Sequence, residues 1–441
     1  MKSFKEFISL KSQVIKEETN ESKKDWKKEF IKLEKGFVPP SNLKPVVQAF
    51  ADSNNISIMD DTSKEINMPK KNLYLSGGSV RDFLSNKTPK NYNLSTNATP
   101  KQIVIILKNS GFSEDNRNKT WESKGNNIIA IVNGDEFKIE TFSKPGKNSP
   151  EFTDDMIEDA EKRDLTINSM YIELSKNDSE NNKLYDPTKK GWYDITHGNI
   201  KSIGNTEGKF REDKIRMMRA VRFYSQYGKG PIDKDIQKAI SELKSDIKKL
   251  PKEEIKEEFV KGLVNPDIDP KKYLETYNKT GLLEQVFPNV ELNLDIPPDF
   301  SNKKDKILAL AWVLQNNSTD KVKEVLSDWS HEKNAVVCLL KLKDFNMDNI
   351  DELLESKKIS GLSEEQIRNW VELFNVEGRS PRPMWSKSVK RFARFRPDGK
   401  QLAGWDSSEV DNKLSPQIRS ILIKNLNKDK LKEMFKKELD R

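Results

Sequence analysis

Three stretches of this chain set charged and hydrogen-bonding side chains at regular intervals among apolar ones. The first is LYLSGGSVRDFL. An apolar run from Leu73 to Leu75 reads as a buried strand, breaks at Gly77-Gly78, and is followed by helix-forming residues carrying Arg81 and Asp82. Two glycines between strand and helix let backbone N–H groups approach a phosphate, although a tight packing turn would use the same residues. The second is Phe210 to Phe223 (FREDKIRMMRAVRF). Helical spacing puts Asp213 and Arg216 on one face and Ile215 and Met218 on the other. A carboxylate beside a guanidinium offers an acceptor and donors to a base edge, while Glu212 and Arg216 also suit an ordinary i,i+4 bridge. The third is Arg379 to Lys400, where eight Lys/Arg face the single acid Asp398 and Trp385, Phe392 and Phe395 are interleaved. Lys387, Lys390, Arg391, Arg394 and Arg396 can neutralise RNA phosphates while aromatics stack on unpaired bases; a helix with its aromatics in the core reads the same way.

The elements that must position these residues follow from periodicity. Pro45 to Asn54 reads as a helix, as does Pro100 to Ser110, which carries Ile103, Val104, Ile106 and Leu107 and closes on Gly111. Asn127 to Asn133 and Glu136 to Phe142 read as strands. Alternating strands and helices imply a small α/β head. Beyond Lys209 every periodic segment reads helical: Asp233 to Leu243, Lys252 to Val264, Lys304 to Gln315, Asp320 to Leu342, Ser363 to Phe374 and Pro416 to Asn425. Phe4, Phe7, Ile8, Val14 and Ile15 fall at helical spacing, which suits a short amphipathic helix, but a flexible charged extension is the better reading of this Lys/Glu-rich opening. The opening MKSFKEFI also resembles the starts of some tailed-phage proteins.

Composition narrows the class. The 441 residues suffice for roughly two to four domains. Hydrophobic and charged residues each make up 34%, and 78 basic against 70 acidic side chains give a net charge of +8, which permits a polyanionic partner without requiring one. The single Cys338 excludes an internal disulfide framework, and two histidines, His197 and His331, argue against a His/Cys zinc site. No apolar run has membrane-spanning length and no signal-peptide core is present, so the expectation is a cytoplasmic protein (host cytoplasm if viral), not secreted and without a membrane partner.

Gly77-Gly78-Ser79-Val80-Arg81-Asp82, followed by Tyr92-x-Leu94-x-Thr96-x-Ala98-Thr99-Pro100, resembles the head of the class II tRNA nucleotidyltransferases (CCA-adding enzymes) and bacterial poly(A) polymerases. Lys162-Arg163-Asp164-Leu165-Thr166-Ile167-Asn168 is similar to a second motif of that family, and the Phe210 to Phe223 segment to a third. The resemblance is firm from Leu73 to Phe223, moderate as far as Pro288, and undistinguished beyond. It implies an α+β protein with a polymerase-β-like α/β head and an all-α neck, body and tail, laid out as an extension (1–40), head (41–205), neck with base-recognition helix (206–266) and helical, RNA-binding body and tail (267–441). It implies that Arg163 approaches a triphosphate, Asp164 the ribose hydroxyls, that Asn168 fixes the loop or sugar, and that Asp213 and Arg216 select C and A. The implied partners are CTP or ATP and a tRNA-like RNA, with Mg²⁺ as cofactor if the protein is active.

At one place the sequence departs from the family. The family's second segment begins Asp-x-Asp, and those carboxylates hold the magnesium ions of nucleotidyl transfer; here the positions are Asn91 and Asn93. Counting back from Thr141-Phe142 puts Lys138 at the third carboxylate, with Glu140 as a possible substitute on the same strand face. Hard Mg²⁺ needs carboxylate oxygens, and a loss of ~5 kcal/mol of transition-state stabilisation would slow transfer roughly 10³–10⁴-fold. The expectation is a family member that binds RNA 3′ ends or nucleotides with transfer lost or severely reduced, no metal site being assigned. The alternatives are an active CCA-adding or poly(A)-type enzyme with non-standard ligands, and a structural or assembly protein, viral or otherwise, reusing the fold.

Overall fold

The computed structural model describes residues 13–16, 29–53, 56–59, 65–146, 151–294, 305–343, 345, 350–375, 385–394 and 432–437. The chain divides into two units, Met1–Leu243 and Lys244–Arg441.

The first unit is built on the Leu73 strand. Strands are numbered β1 Gln13–Lys16, β2 Glu29–Lys32, β3 Ser57–Met59, β4 Glu65–Asn67, β5 Leu73–Ser76, β6 Asn93–Thr96, β7 Lys119–Lys124, β8 Asn127–Val132, β9 Asp135–Thr141, β10 Tyr171–Leu174 and β11 Lys183–Tyr185. Among the described residues nine of them form one sheet in the order β1-β2-β11-β10-β5-β6-β9-β8-β7, and β3 and β4 form a separate hairpin. The pairing of β6 with β9 is parallel, with Asn93 beside Lys138, Leu94 beside Ile139 and Ser95 beside Glu140. Period-two alternation then sorts the faces. Leu73, Leu75, Leu94, Phe137 and Ile139 are buried on one face, where helices Lys44–Ala51 and Pro100–Asn109 bury Val46, Val47, Phe50, Ile103, Ile106 and Leu107. A capping box starts the second of these helices, Thr99 bonding Gln102 in both directions with Pro100 in the first turn. The other face carries Ser76, Asn93, Ser95, Lys138 and Glu140, and at its base Tyr74, Phe142, Met156, Ala160, Tyr171 and Tyr185 form a buried cluster.

Several expectations are corrected. Val14 and Ile15 lie in β1, paired with Ile31 and Phe30, not in a helix; Phe4, Phe7 and Ile8 lie outside the described residues. Because β2 also pairs with β11, residues 29–32 belong to the head sheet, inside what was expected to be a separate extension ending at 40. The unit boundary after Leu243 falls within the span expected as neck, 206–266. Asp213 is not helical: helix Thr206–Glu212 ends there, with φ −144° and ψ 106°, and helix Ile215–Tyr227 begins two residues later. The Asp213 carboxylate accepts the Ile215 N–H at 3.2 Å, so the residue sits at a break between two helices instead of lining a continuous one.

Among the described residues, every regular element of the second unit is a helix. Helices Lys252–Leu263 and Pro270–Thr280 approach so closely that a Cβ on Gly262 would lie 2.2 Å from the Tyr273 ring. Phe259, Tyr273, Tyr277 and Phe287 fill the space around them. The stretch from Asp320 to Leu342 is two helices, Thr319–Val325 and Ser330–Lys343, interrupted over residues 326–329, where Ser327 Oγ donates to Asp328 Oδ2 at 3.3 Å. The helix expected from Pro416 to Asn425 lies outside the described residues.

Candidate functional site

The head places its motif residues in two groups. In the first, Arg163 follows the short helix Met156–Glu161, whose Asp159 sits one turn earlier. The guanidinium donates to Asp159 Oδ2 at 3.1 Å, to Tyr171 Oη at 3.0 Å, to Ser95 Oγ at 3.1 Å and to the Asn168 carbonyl at 3.3 Å. Asp159 is 2% exposed and also holds Lys162 at 2.7 Å. Burial alone would raise its pKa, but Arg163, Lys162 and the Tyr171 hydroxyl hold it below the usual carboxylate range. Gly77, at φ +60°, lies directly against this arginine, since a Cβ there would stand 2.8 Å from Nη1. The glycine's first use is therefore to let Arg163 pass.

A chain of charged hydrogen bonds runs on from Asn168. Arg81 donates to Asn168 Oδ1 at 2.6 Å, and Asn168 donates to Asp164 Oδ1 at 2.9 Å. Arg219, on helix Ile215–Tyr227, meets Asp164 Oδ2 at 2.6 Å. Burial opposes ionisation of Asp164, but Arg219, Asn168 and the Leu165 N–H overcome it and lower its pKa. Arg81 also bonds Asp82 at 2.8 Å and lies over the Phe223 ring at 4.6 Å, and Tyr227 donates to Asp82 at 2.8 Å. Arg81, Asp164 and Asn168, read from sequence as nucleotide contacts, are buried and engaged with one another. Gly78 opens a helix of only seven residues, Gly78–Leu84, whose start faces the Arg81 guanidinium.

The second group is exposed. Ser79 Oγ donates to the Asn91 carbonyl and accepts from the Asn93 N–H, both at 2.8 Å, which fixes the backbone ahead of β6. The Asn91 and Asn93 amides face solvent, with no hydrogen-bond partner among the described residues. Lys138, 44% exposed, lies beside Asn93 across the parallel ladder and pairs with Glu140, 31% exposed. Asn91, Asn93, Lys138 and Glu140 therefore share the end of one sheet face. Two neutral amides, an ammonium and one carboxylate already paired to it do not fit a pair of hard divalent cations. Among the described residues no group of three or more His, Cys, Asp or Glu side chains is arranged to hold a metal ion.

Arg216 borders the first group. It donates to the Lys162 carbonyl at 2.9 Å and to Glu212 at 3.1 Å, with Asp213 Oδ2 3.7 Å from Nε. The expected i,i+4 bridge and the Asp213–Arg216 pair are both present. Asp213 remains exposed enough to meet a ligand edge. In the second unit, helix Trp385–Arg394 buries Val389, Phe392 and Ala393. Phe392 packs on Phe345 and Phe435, so it is a core residue and not a stacking platform. Arg394 pairs with Glu364 at 3.1 Å; Lys390 and Arg391 are half-buried; Lys387 is helical; Arg396 and Phe395 lie outside the described residues. Among the described residues no helix is long and apolar enough to cross a membrane.

Sequence reading passed over Asp159, Ser95, Tyr171, Ser79 and Arg219. Asp159 lies four residues before Arg163, and Arg219 three after Arg216, so both were recoverable from spacing. Ser95 and Tyr171 reach Arg163 only through strand pairing, which no local pattern announces.

This fold is shared with solved CCA-adding enzymes. The Thermotoga maritima enzyme, solved in complex with a tRNA, superposes with a TM-score of 0.54 at 17% identity, covering 91% of this chain and 96% of that one. The Bacillus stearothermophilus enzyme in complex with CTP gives 0.53 at 20% identity, covering 91% and 98%. In sequence, the poly A polymerase head domain matches residues 73–201, and the probable RNA and SrmB-binding site of polymerase A matches 231–294. The CCA-adding enzyme of Lactobacillus johnsonii is 29% identical over 322 residues, 71% of this chain and 70% of that one. Poly(A) polymerase I of Salmonella typhi is 30% identical over 231 residues, 49% of this chain and 47% of that one. Both matched segments and these relatives support placing the chain with the CCA-adding enzymes and poly(A) polymerases.

Proposed function

We propose that this protein binds RNA 3′ ends and nucleotides such as CTP or ATP and has lost nucleotidyl transfer, or retains it only in severely reduced form. The observation that carries the reading is the ladder pairing of Asn93 with Lys138, which puts an amide and a cation together where transfer requires metal-holding acids. Nucleotide and RNA partners are supported by the tRNA and CTP complexes of the related enzymes, by Asp213 and Arg216 at the edge of the head, and by the basic helix Trp385–Arg394. The absence of a long apolar helix among the described residues is consistent with a site of action in the cytoplasm, which is host cytoplasm if the chain is viral.

The test is incorporation of labelled CTP and ATP into a tRNA lacking its 3′ end, with Mg²⁺, by the native chain and by the triple variant Asn91→Asp, Asn93→Asp, Lys138→Glu. Incorporation by the variant alone supports the reading. Incorporation by the native chain at a rate typical of its relatives overturns it.

A further inference from the structure

We infer that the exposed end of the sheet face is a divalent-independent phosphate site, in which the Lys138 ammonium supplies the positive charge and the Asn91 and Asn93 amides donate N–H groups to phosphate oxygens. This rests on the nucleotide-binding reading above and deepens it. The ligand is a nucleotide phosphate, whether of a free nucleoside triphosphate or of an RNA terminus.

Four observations support it. Lys138 uses one of its three N–H bonds on Glu140, leaving two, and nearly half of the side chain is exposed. The Asn91 and Asn93 amides are exposed beside it on a backbone pinned by Ser79, so each can donate without the cost of ordering a loop. Behind them Ser95, opposite Glu140 in the ladder, accepts from Arg163, whose charge also acts on Glu140. The acid facing Lys138 is thus answered from both sides, which lessens its repulsion of an anion. Finally, amides and an ammonium are donors suited to phosphate, whereas carboxylates at the same places would repel it unless metal ions intervened.

The opposing reading is that Lys138 and Glu140 are an ordinary surface ion pair, with no bearing on ligands. The two readings part on substitution. A phosphate site loses a charge-assisted bond when Lys138 becomes Gln, and gains when Glu140 becomes Gln because the ammonium is released toward the ligand. A surface pair predicts no change in binding from either.

The experiment measures binding of fluorescent CTP and ATP analogues, and separately of a fluorescent RNA ending in an unpaired 3′ terminus, to the full chain with Mg²⁺ or with EDTA. Native protein is compared with Lys138→Gln, Lys138→Arg, Glu140→Gln and, as a control on β7, Lys124→Gln. The expected result is affinity unchanged by EDTA, weakened roughly tenfold or more by Lys138→Gln, largely restored by Lys138→Arg, raised by Glu140→Gln and unaffected by Lys124→Gln. This pattern with the nucleotide analogues identifies the triphosphate as the source of the phosphate; with the RNA alone it identifies the terminus. Binding that EDTA abolishes, or that ignores Lys138→Gln, overturns the inference while leaving the binding function standing. Failure of every probe to bind the native chain overturns both.

Discussion

Arg163 with its partners and Asn91 with its neighbours stand on the same sheet, yet the fold treats them in opposite ways. Arg163, Asp164, Asn168 and Arg81 are wound into a buried network in which each charge is answered: Asp159 by Arg163 and Lys162, Asp164 by Arg219, Asp82 by Arg81 and Tyr227. Asn91, Asn93, Lys138 and Glu140 look outward, and only the last two bond each other. Removing one member of a buried pair strands the other charge, at a cost of about 3–5 kcal/mol, whereas exposed positions change at about 0.5 kcal/mol or less. Folding alone thus accounts for the motif residues of the first group, so their presence is weak testimony about ligands. No comparable structural need fixes the second group, and its chemistry is the better guide to what the site now does.

The largest expected effect comes from breaking the first group. Arg163→Ala leaves the 2%-exposed Asp159 with Lys162 in place of two cations and takes a donor away from Tyr171, Ser95 and the Asn168 carbonyl; destabilisation of about 3–5 kcal/mol is expected in denaturant unfolding followed by a probe in the head. A loss under about 1 kcal/mol would erase the contrast between the two groups. Asp164→Asn follows, at roughly 2–3 kcal/mol near neutral pH, because the neutral amide no longer answers Arg219. Its pH dependence has a definite sign. The folded-state pKa of Asp164 is lowered, so its contribution is fully present above the unfolded value of about 4 and fades as pH falls through the folded value. Melting curves of native and Asp164→Asn protein should therefore converge below about pH 4; a gap that persists into strong acid would show that Arg219 does not set the carboxylate's charge. Gly77→Ala comes third, at about 1–3 kcal/mol, from the left-handed backbone and the 2.8 Å contact with Arg163. Combined with Arg163→Ala, the contact part of that penalty should shrink, which a double-mutant cycle reads directly.

How far these groups could be read from sequence depends on locality. β5, β8 and β9 were legible because apolar residues alternate or run together between turn signals. β7 was not: Lys119–Lys124 is polar and its outer half is exposed at the sheet's edge, so no buried face imprints a pattern. β1 failed differently, since Val14-Ile15 amid Lys and Glu suits a helix as well as a strand and only pairing with Phe30 and Ile31 decides. At the site, counting back from Thr141-Phe142 pointed to Lys138, and the ladder puts it beside Asn93. The sequence could not show that Arg163 and Asp164 are spoken for, because Ser95, Tyr171 and Arg219 arrive from other strands and another helix. The helix break at Asp213 was hidden for a related reason: its carboxylate accepts the Ile215 N–H between two helices where spacing alone would continue the first.

The smallest expected change in stability is also the most discriminating. Asn91→Asp with Asn93→Asp and Lys138→Glu alters three exposed positions, so melting without divalent ions should shift by no more than about 1 kcal/mol, mostly from the lost Lys138–Glu140 pair and from crowding of acids around Glu140. Magnesium should then separate the two proteins. A ligand that binds only the folded state stabilises it by RT ln(1 + [L]/Kd), so the variant should acquire a melting temperature that climbs with Mg²⁺, while the native chain, offering two amides and an ammonium, should show none beyond what a monovalent salt of equal ionic strength produces. Calorimetric titration of both proteins with Mg²⁺ checks the same point without heating. Should the native chain itself respond, and Asn91→Ala with Asn93→Ala abolish the response, the amides would be acting as metal donors. The outward group would then be a catalytic site in altered form, and the contrast with the buried network would rest on accessibility alone.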